Sequence, residues 1–201
     1  MAEAGARELV LASASPFRRK MLSAAGLSFR VVPAEVDEAA LKRGFVDKTP
    51  AEIAGALARA KALEVSARLP AARVIGADQV LALGTEMFDK PGDLAAARAQ
   101  LLRLRGKTHK LLTAAALAES GEIVWSRLET ATLTMRSFSA AFVDSYLAAA
   151  GAGLCRIVGA YEIEGAGIQL FERVEGDHFT IVGLPLLALL TELRARGGIA
   201  T

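Results

Sequence analysis

Two serines and two arginines stand where a phosphate could be held. Residues 9 to 19 read Leu-Val-Leu-Ala-Ser-Ala-Ser-Pro-Phe-Arg-Arg, a short apolar run that breaks into hydroxyls, a proline and a pair of guanidiniums. Pro16 suits the first position of a helix, and the backbone N–H groups of a first turn have no intrahelical acceptor. Ser13 and Ser15 add hydroxyl donors. Arg18 and Arg19 add planar forks that grip phosphate oxygens in pairs, and the positive end of the helix dipole favours the same charge. The same letters also describe an N-capped surface helix with two solvated arginines, so the motif alone leaves both readings open.

Other residues could complete the chemistry. Asp78 lies in Gly-Ala-Asp-Gln-Val, where a buried strand meets a polar position. It is either a strand-end cap or a carboxylate that holds a divalent metal or takes a proton from water. Lys61 and Lys90, the latter in Phe-Asp-Lys-Pro, are surface lysines or neutralisers of phosphate charge. Glu35, Asp37 and Glu38 form an acidic knot that is either a solvated loop or a source of metal ligands beside Asp78. His109, in Gly-Lys-Thr-His, reads as a strand residue with a satisfied ring. The chain has no Walker-type lysine loop, no G-x-G-x-x-G after the first strand and no paired histidines at metal spacing, which argues against a kinase or a dehydrogenase.

These side chains need strands and helices to hold them. Leu9 to Leu11 reads as a strand, Pro16 to Ala25 as a helix stopped by Gly26, and Phe29 to Val32 as a second strand. Thr49-Pro50-Ala51-Glu52 has the form of a capped helix start, and the segment to Ala67 carries Ile53, Leu57 and Ala60 at helical spacing. Arg73 to Leu83 returns as a strand, Val74-Ile75-Gly76-Ala77, with Asp78 at its end or just inside the next segment. Pro91-Gly92-Asp93 opens a helix to Leu104 with Leu94, Leu101, Leu102 and Leu104 as core positions. Lys107 to Leu117 and Glu122 to Met135 read as a hairpin around Ser120-Gly121, and Ser139 caps a helix to Ala150. A glycine-rich passage, Gly151 to Gly167, precedes a strand at Ile168 to Val174, a turn at 175–177 and a last helix from Pro185 to Arg196. The alternation gives an α/β class with a mixed sheet and two lobes around a cleft.

Composition narrows the class further. Of the 201 residues 53% are apolar and 23% charged, which excludes a disordered or fibrous chain. The 24 Lys and Arg against 22 Asp and Glu leave no basic run able to track a nucleic-acid backbone, so no polynucleotide partner is expected. One cysteine, Cys155, rules out an internal disulfide and a cysteine-based zinc site, and its expected role is that of a small buried hydrophobe. Met1 to Glu8 is short and charged, with no readable signal peptide. The longest strongly apolar stretch, Ile181 to Leu190, contains Pro185, is too short to span a bilayer and reads as the start of a core helix. The expectation is a cytoplasmic protein that does not enter a membrane.

Taken together, Leu-Ala-Ser-Ala-Ser-Pro-Phe-Arg-Arg, Glu-Val-Asp-Glu at 35–38, Ala-Lys-Ala at 60–62, Gly-Ala-Asp-Gln-Val at 76–80, Asp-Lys-Pro at 89–91, Gly-Lys-Thr-His at 106–109 and Val-Gly-Leu-Pro-Leu at 182–186 resemble the Maf family of nucleoside triphosphate pyrophosphatases. The likeness covers nearly the whole chain. It implies one Maf-type domain over residues 1–201, in the manner of Maf and ITPase-like folds: a mixed, strongly curved sheet with flanking helices, and two lobes around a nucleotide cleft. It implies hydrolysis of a modified or noncanonical nucleoside triphosphate between the α and β phosphates, giving the monophosphate and pyrophosphate with a divalent cation, Mg or Mn.

The resemblance also implies roles by position. Asp78 would be the proton acceptor, Lys61 and Lys90 would neutralise phosphate charge, and Ser13, Ser15 and Arg18 would hold the phosphates. Glu38 would join Asp78 in the metal environment, and Arg19 is left without a role. Phe17, Gln79 and Glu164 match the aromatic, Gln and Glu of the branch acting on 7-methyl-GTP, whereas the dTTP and UTP branch typically has Arg, Thr and Gln there. An aromatic face can stack on a cationic methylated purine, and a carboxylate can accept from the guanine N1–H and amino edge; Phe17 could equally be a core aromatic. Tyr161-Glu162-Ile163-Glu164-Gly165, Ala114 and Thr180 depart from the usual family strings. The alternatives are a dTTP/UTP-type pyrophosphatase, or a nucleotide-binding regulator of septum formation and cell division whose hydrolysis is slow. The resemblance leaves a homodimer open.

Overall fold

The computed structural model describes residues 7–45 and 47–200; the first six residues of the charged Met1–Glu8 segment lie outside them. Seven strands and seven α-helices alternate among the described residues. Strand β1, Leu9–Leu11, is buried at all three positions. Helix α1, Pro16–Ala24, starts on Ser15, whose hydroxyl accepts from the Arg18 backbone N–H, with Pro16 in the first turn as expected. Strand β2 is only Arg30–Val31, shorter than the 29–32 expected, because it is an exposed edge that pairs with just two residues of β1.

Helix α2, Glu38–Gly44, was not foreseen: Asp37 caps it, and none of its residues is buried, so it carries no apolar stripe to read. Helix α3, Pro50–Arg68, has a full capping box, with the Thr49 hydroxyl accepting from Glu52 N and the Glu52 carboxylate accepting from Thr49 N. Strand β3, Arg73–Leu83, is buried at nine of its eleven positions. Asp78 sits in its middle rather than at its end, which corrects the sequence expectation. A buried central strand reads as a continuous apolar run, and one polar residue inside it mimics a terminus.

Strand β4, Glu86–Phe88, returns against β3. Helix α4, Leu94–Leu104, buries Ala97, Leu101 and Leu104, but Leu94 is 43% exposed at its first position, beyond the edge of the core that later turns cover. Strands β5, Thr108–Glu119, and β6, Glu122–Met135, form the expected hairpin pattern. Helix α5, Ala140–Ala150, is capped by Ser139. Residues Ala166–Leu170 form a 3-10 turn, and strand β7 is Phe171–Glu175. Gly167 and Leu170 are buried while Ile168 is exposed, so the burial there has the three-residue period of a 3-10 turn and not the two of a strand. The Ile181–Leu190 stretch is divided between helix α6, His178–Val182, and helix α7, Leu186–Ala195, with Pro185 between them.

The strands hydrogen-bond in the order β2-β1-β3-β5-β6-β7, with β4 also on β3. The sheet is mixed: β1 runs parallel to β2 and β3, whereas β4 is antiparallel to β3 and β7 to β6. The chain forms two compact units, Met1–Gln79 with Thr113–Glu129 and Gly183–Thr201, and Val80–Leu112 with Thr130–Val182. In the first, Val10, Ala12, Val65, Ala72 and Val74 pack as one cluster between β1, β3 and α3. In the second, Leu101, Leu104, Leu111, Leu133, Met135 and Tyr161 anchor a larger one. Cys155 is a free, buried thiol. Among the described residues, no helix is long and apolar enough to cross a membrane.

Candidate active site

Close packing of α3 on β3 sets the first part of the site. A Cβ on Gly76 would run into the Ala58 carbonyl and would lie 2.6 Å from Ala62 N, so only glycine lets the helix approach this strand. Asp78 lies two residues on, on the same face of the pleat. Lys61, next to Ala62 on the helix, therefore reaches it, and its Nζ donates to Asp78 Oδ1 at 2.6 Å. The same ammonium is 2.7 Å from Glu38 Oε1 at the start of α2. Lys61 and Asp78 keep only 12% and 11% of their side-chain surface, while Glu38 keeps 45%, so the pair is desolvated on one side and open on the other.

The acidic knot divides its labour. Asp37 caps α2 through Ala40 N. Glu35 is exposed and lies 3.8 Å from Arg68, and only Glu38 joins Lys61. Asp78 and Glu38 thus share one cation, and among the described residues no group of three or more His, Cys, Asp or Glu side chains could hold a metal by itself. Two carboxylates nevertheless suit a hard divalent ion that takes its other ligands from substrate phosphates and water.

The residues expected to hold phosphate lie at the β1–α1 junction. Ser13 Oγ accepts from Ser15 N at 3.3 Å and from Arg18 Nη1 at 3.0 Å. A hydroxyl has two acceptor positions and one proton, so Ser13 keeps its proton to donate. Ser15 caps the helix through Arg18 N at 3.4 Å. Arg18 Nε donates to the Gly183 carbonyl at 2.8 Å, which fixes the fork. Burial lowers the Arg18 pKa, and the negative charges of Asp78 and Glu38 oppose that shift. The arginine, the two carboxylates and Lys61 therefore form one electrostatic group, while Arg19 is exposed.

Of the three positions expected to read the base, two lie in this unit. Phe17 is half-buried in the first turn of α1. Gln79 Nε2 donates to the Thr113 hydroxyl of β5 at 2.9 Å. In the second unit, Glu164 is exposed with Oε1 3.5 Å from His178 Nε2, and Lys90 is exposed in the turn between β4 and α4. His109 is buried there, with Nε2 2.8 Å from the Tyr161 hydroxyl. Its Nδ1 has no partner, so the ring is half-satisfied, not fully as expected. Burial lowers its pKa to about 4 and raises that of Tyr161.

Sequence reasoning missed Gly183 and Thr113 as parts of the site. Gly183 had only its place in Val-Gly-Leu-Pro-Leu to mark it. Thr113 had one signal, a lone hydroxyl in the otherwise apolar run from Leu111 to Leu117.

Several known proteins are similar to this chain over nearly its whole length. A protein of Mesorhizobium japonicum named 7-methyl-GTP pyrophosphatase is 52% identical over 194 residues, covering 96% of this chain and 98% of that one. A Brucella abortus protein of the same name is 49% identical over 189 residues, 93% and 95% of the two chains. A nucleoside triphosphate pyrophosphatase of Paramagnetospirillum magneticum is 53% identical over 190 residues, 94% and 98% of the two. The family described as Maf-like protein matches residues 8–196. With agreement at this level over almost its full length, the chain belongs to the Maf family.

Proposed function

We propose that this protein is a nucleoside triphosphate pyrophosphatase that hydrolyses the α–β phosphoanhydride bond of modified nucleotides, with 7-methyl-GTP as preferred substrate. The names carried by its relatives support the reaction class. The observation that carries the reading is the desolvated Asp78–Lys61 pair with Glu38 at its open side, electrostatically coupled to Arg18.

Asp78 is the proton acceptor. Lys61 holds its Oδ1, which orients the carboxylate and leaves Oδ2 to take the proton of the attacking water. Ser13, Ser15, Arg18 and the first turn of α1 bind the phosphates, and Lys90 neutralises phosphate charge. As the α–β bond breaks, negative charge grows on the leaving pyrophosphate, and cationic donors fixed in advance lower that barrier without reorganising. Glu38 and Asp78 would hold a divalent cation, Mg or Mn, which supplies further neutralisation of phosphate charge when bound. Phe17 stacks on the base, and Gln79 and Glu164 accept from its N–H edge. The enzyme works in the cytoplasm, with a homodimer as its assembly.

The test mixes purified protein with a panel of nucleoside triphosphates, 7-methyl-GTP, GTP, dTTP and UTP among them, in Mg or Mn, and separates pyrophosphate from orthophosphate. Pyrophosphate and monophosphate in equal amounts, fastest from 7-methyl-GTP, are expected. Orthophosphate alone overturns the reaction, and equal rates on all four overturn the base preference.

A further inference from the structure

We infer that Tyr146 is a positioning residue for base selection: its buried hydroxyl bridges the two peptide groups on either side of Tyr161 and thereby sets where the turn carrying Glu164 stands. All of these residues lie in the second unit. Tyr146, on α5, is 6% exposed, and its hydroxyl donates to the Ala160 carbonyl at 3.3 Å. The Glu162 backbone N–H donates to the same oxygen. Burial raises the Tyr146 pKa to about 12 against the lowering effect of that bond, so the phenol keeps the proton it gives to Ala160. The sense of both contacts is settled, because a backbone carbonyl only accepts and a backbone N–H only donates.

The turn needs such a clamp. Gly159 and Ala160 both have left-handed backbones, φ +82° and +56°, and an alanine reaches that region only at a cost that its surroundings must outweigh. Tyr161, between the clamped groups, is buried with its hydroxyl 2.8 Å from His109 Nε2, a bond that holds the ring but not the two peptide planes beside it. From Glu162 the chain makes one tight turn: the Gly165 N–H donates to the Glu162 carbonyl at 3.3 Å, so Ile163 and Glu164 are its two central residues. Gly167 closes the other side, since a Cβ there would run into the Glu162 carbonyl and lie 2.9 Å from Glu162 N. Glu162 is therefore the fixed foot of the turn, and rotating its peptide plane swings Glu164 with it. The Glu164 carboxylate itself lies 3.5 Å from His178 Nε2, so what Tyr146 governs is the backbone beneath that side chain. Hydrogen bonds weaken steeply with distance and angle, so a displaced Glu164 loses the paired N1–H and amino donors of a guanine-type base. Uracil lacks that donor pair and is less affected.

The inference rests on the proposed reading of Glu164 as an acceptor for the base, and the experiment separates the two. Binding of the α,β-methylene analogues of GTP and UTP, which cannot be cleaved at that bond, is measured by calorimetry. The proteins are the wild type, Tyr146→Phe, Glu164→Gln, the double variant and Gly167→Ala. Tyr146→Phe is expected to weaken the GTP analogue about fivefold and the UTP analogue less than about twofold. In the Glu164→Gln background the same change is expected to move the ratio of affinities by less than about twofold, because the group it positions is already gone. Gly167→Ala pushes Glu162 from the opposite side without touching Tyr146, and is also expected to weaken the GTP analogue selectively. Equal weakening of both analogues by Tyr146→Phe, effects of Tyr146→Phe and Glu164→Gln that add in full, or an unchanged ratio in Gly167→Ala overturns the inference. A changed ratio in Glu164→Gln beside an unchanged one in Tyr146→Phe refutes the inference alone, whereas an unchanged ratio in Glu164→Gln refutes the base reading and the inference with it. Selective binding without pyrophosphate release by the wild type refutes the reaction and leaves the inference standing. A wild type that binds neither analogue refutes both.

Discussion

Removing the Lys61 ammonium with Lys61→Met turns an attractive group into a repulsive one. Its Nζ lies 2.6 Å from Asp78 and 2.7 Å from Glu38. The two carboxylate oxygens are thus at most about 5 Å apart, and two unit charges at that distance repel by about 3 kcal/mol at an effective dielectric constant of about 20. Deleting one partner of a buried ion pair costs about 3 to 5 kcal/mol, chiefly because a charge is left uncompensated. Asp78, with 11% of its side chain exposed, feels that in full, whereas Glu38, at 45%, can turn toward water. The expected loss is therefore at the lower end, about 3 kcal/mol in urea unfolding at pH 7. Adding Glu38→Gln removes the second charge and should recover about 1 to 2 kcal/mol, a coupling that a double-mutant cycle reads directly. A loss below about 1 kcal/mol for Lys61→Met, or a further loss on adding Glu38→Gln, would refute the shared-cation account.

The remaining predictions concern the base, the nucleobase and the buried histidine. Asp78→Asn should abolish pyrophosphate release while nucleotide binding, followed by calorimetry, stays within a few-fold; full turnover removes Asp78 as proton acceptor. Glu164→Gln should weaken catalysis on guanine-type substrates by roughly 1 to 3 kcal/mol, read as kcat/KM against a pyrimidine nucleotide, and an unchanged ratio rules out its role in reading the base. His109 has its folded pKa lowered to about 4 from 6.5, so the unfolded chain binds a proton first as pH falls. Stability is full above pH 6.5 and drops by about 3 kcal/mol as pH falls toward 4. Unfolding curves across that range should show a slope that His109→Gln lacks, and equal slopes in the two proteins would show that another group is responsible.

What the sequence determined is what lies close along the chain. The β1–α1 junction, the proposed phosphate site, is legible as structure because strand, cap, proline and arginines fall within eleven residues, and caps and strand runs obey local rules. The Thr49–Glu52 capping box and the long β3 were legible for the same reason. Short elements without a periodic apolar face escaped: α2 buries nothing, β4 has three residues, and α6 is hidden in an apolar run that Gly183 and Pro185 divide. Asp78 was recognisable as unusual, yet its place in mid-strand was not, since a lone carboxylate among apolar residues looks like an end. Tertiary structure alone decided the pairings. Gly76 brings α3 down on β3 and so joins Lys61 to Asp78. Gly183 supplies the carbonyl that accepts from Arg18, and Thr113 the hydroxyl that accepts from Gln79. Each joins residues from separate elements, and a hydrogen bond of that kind depends on packing distances of a few tenths of an ångström, which residue order does not encode.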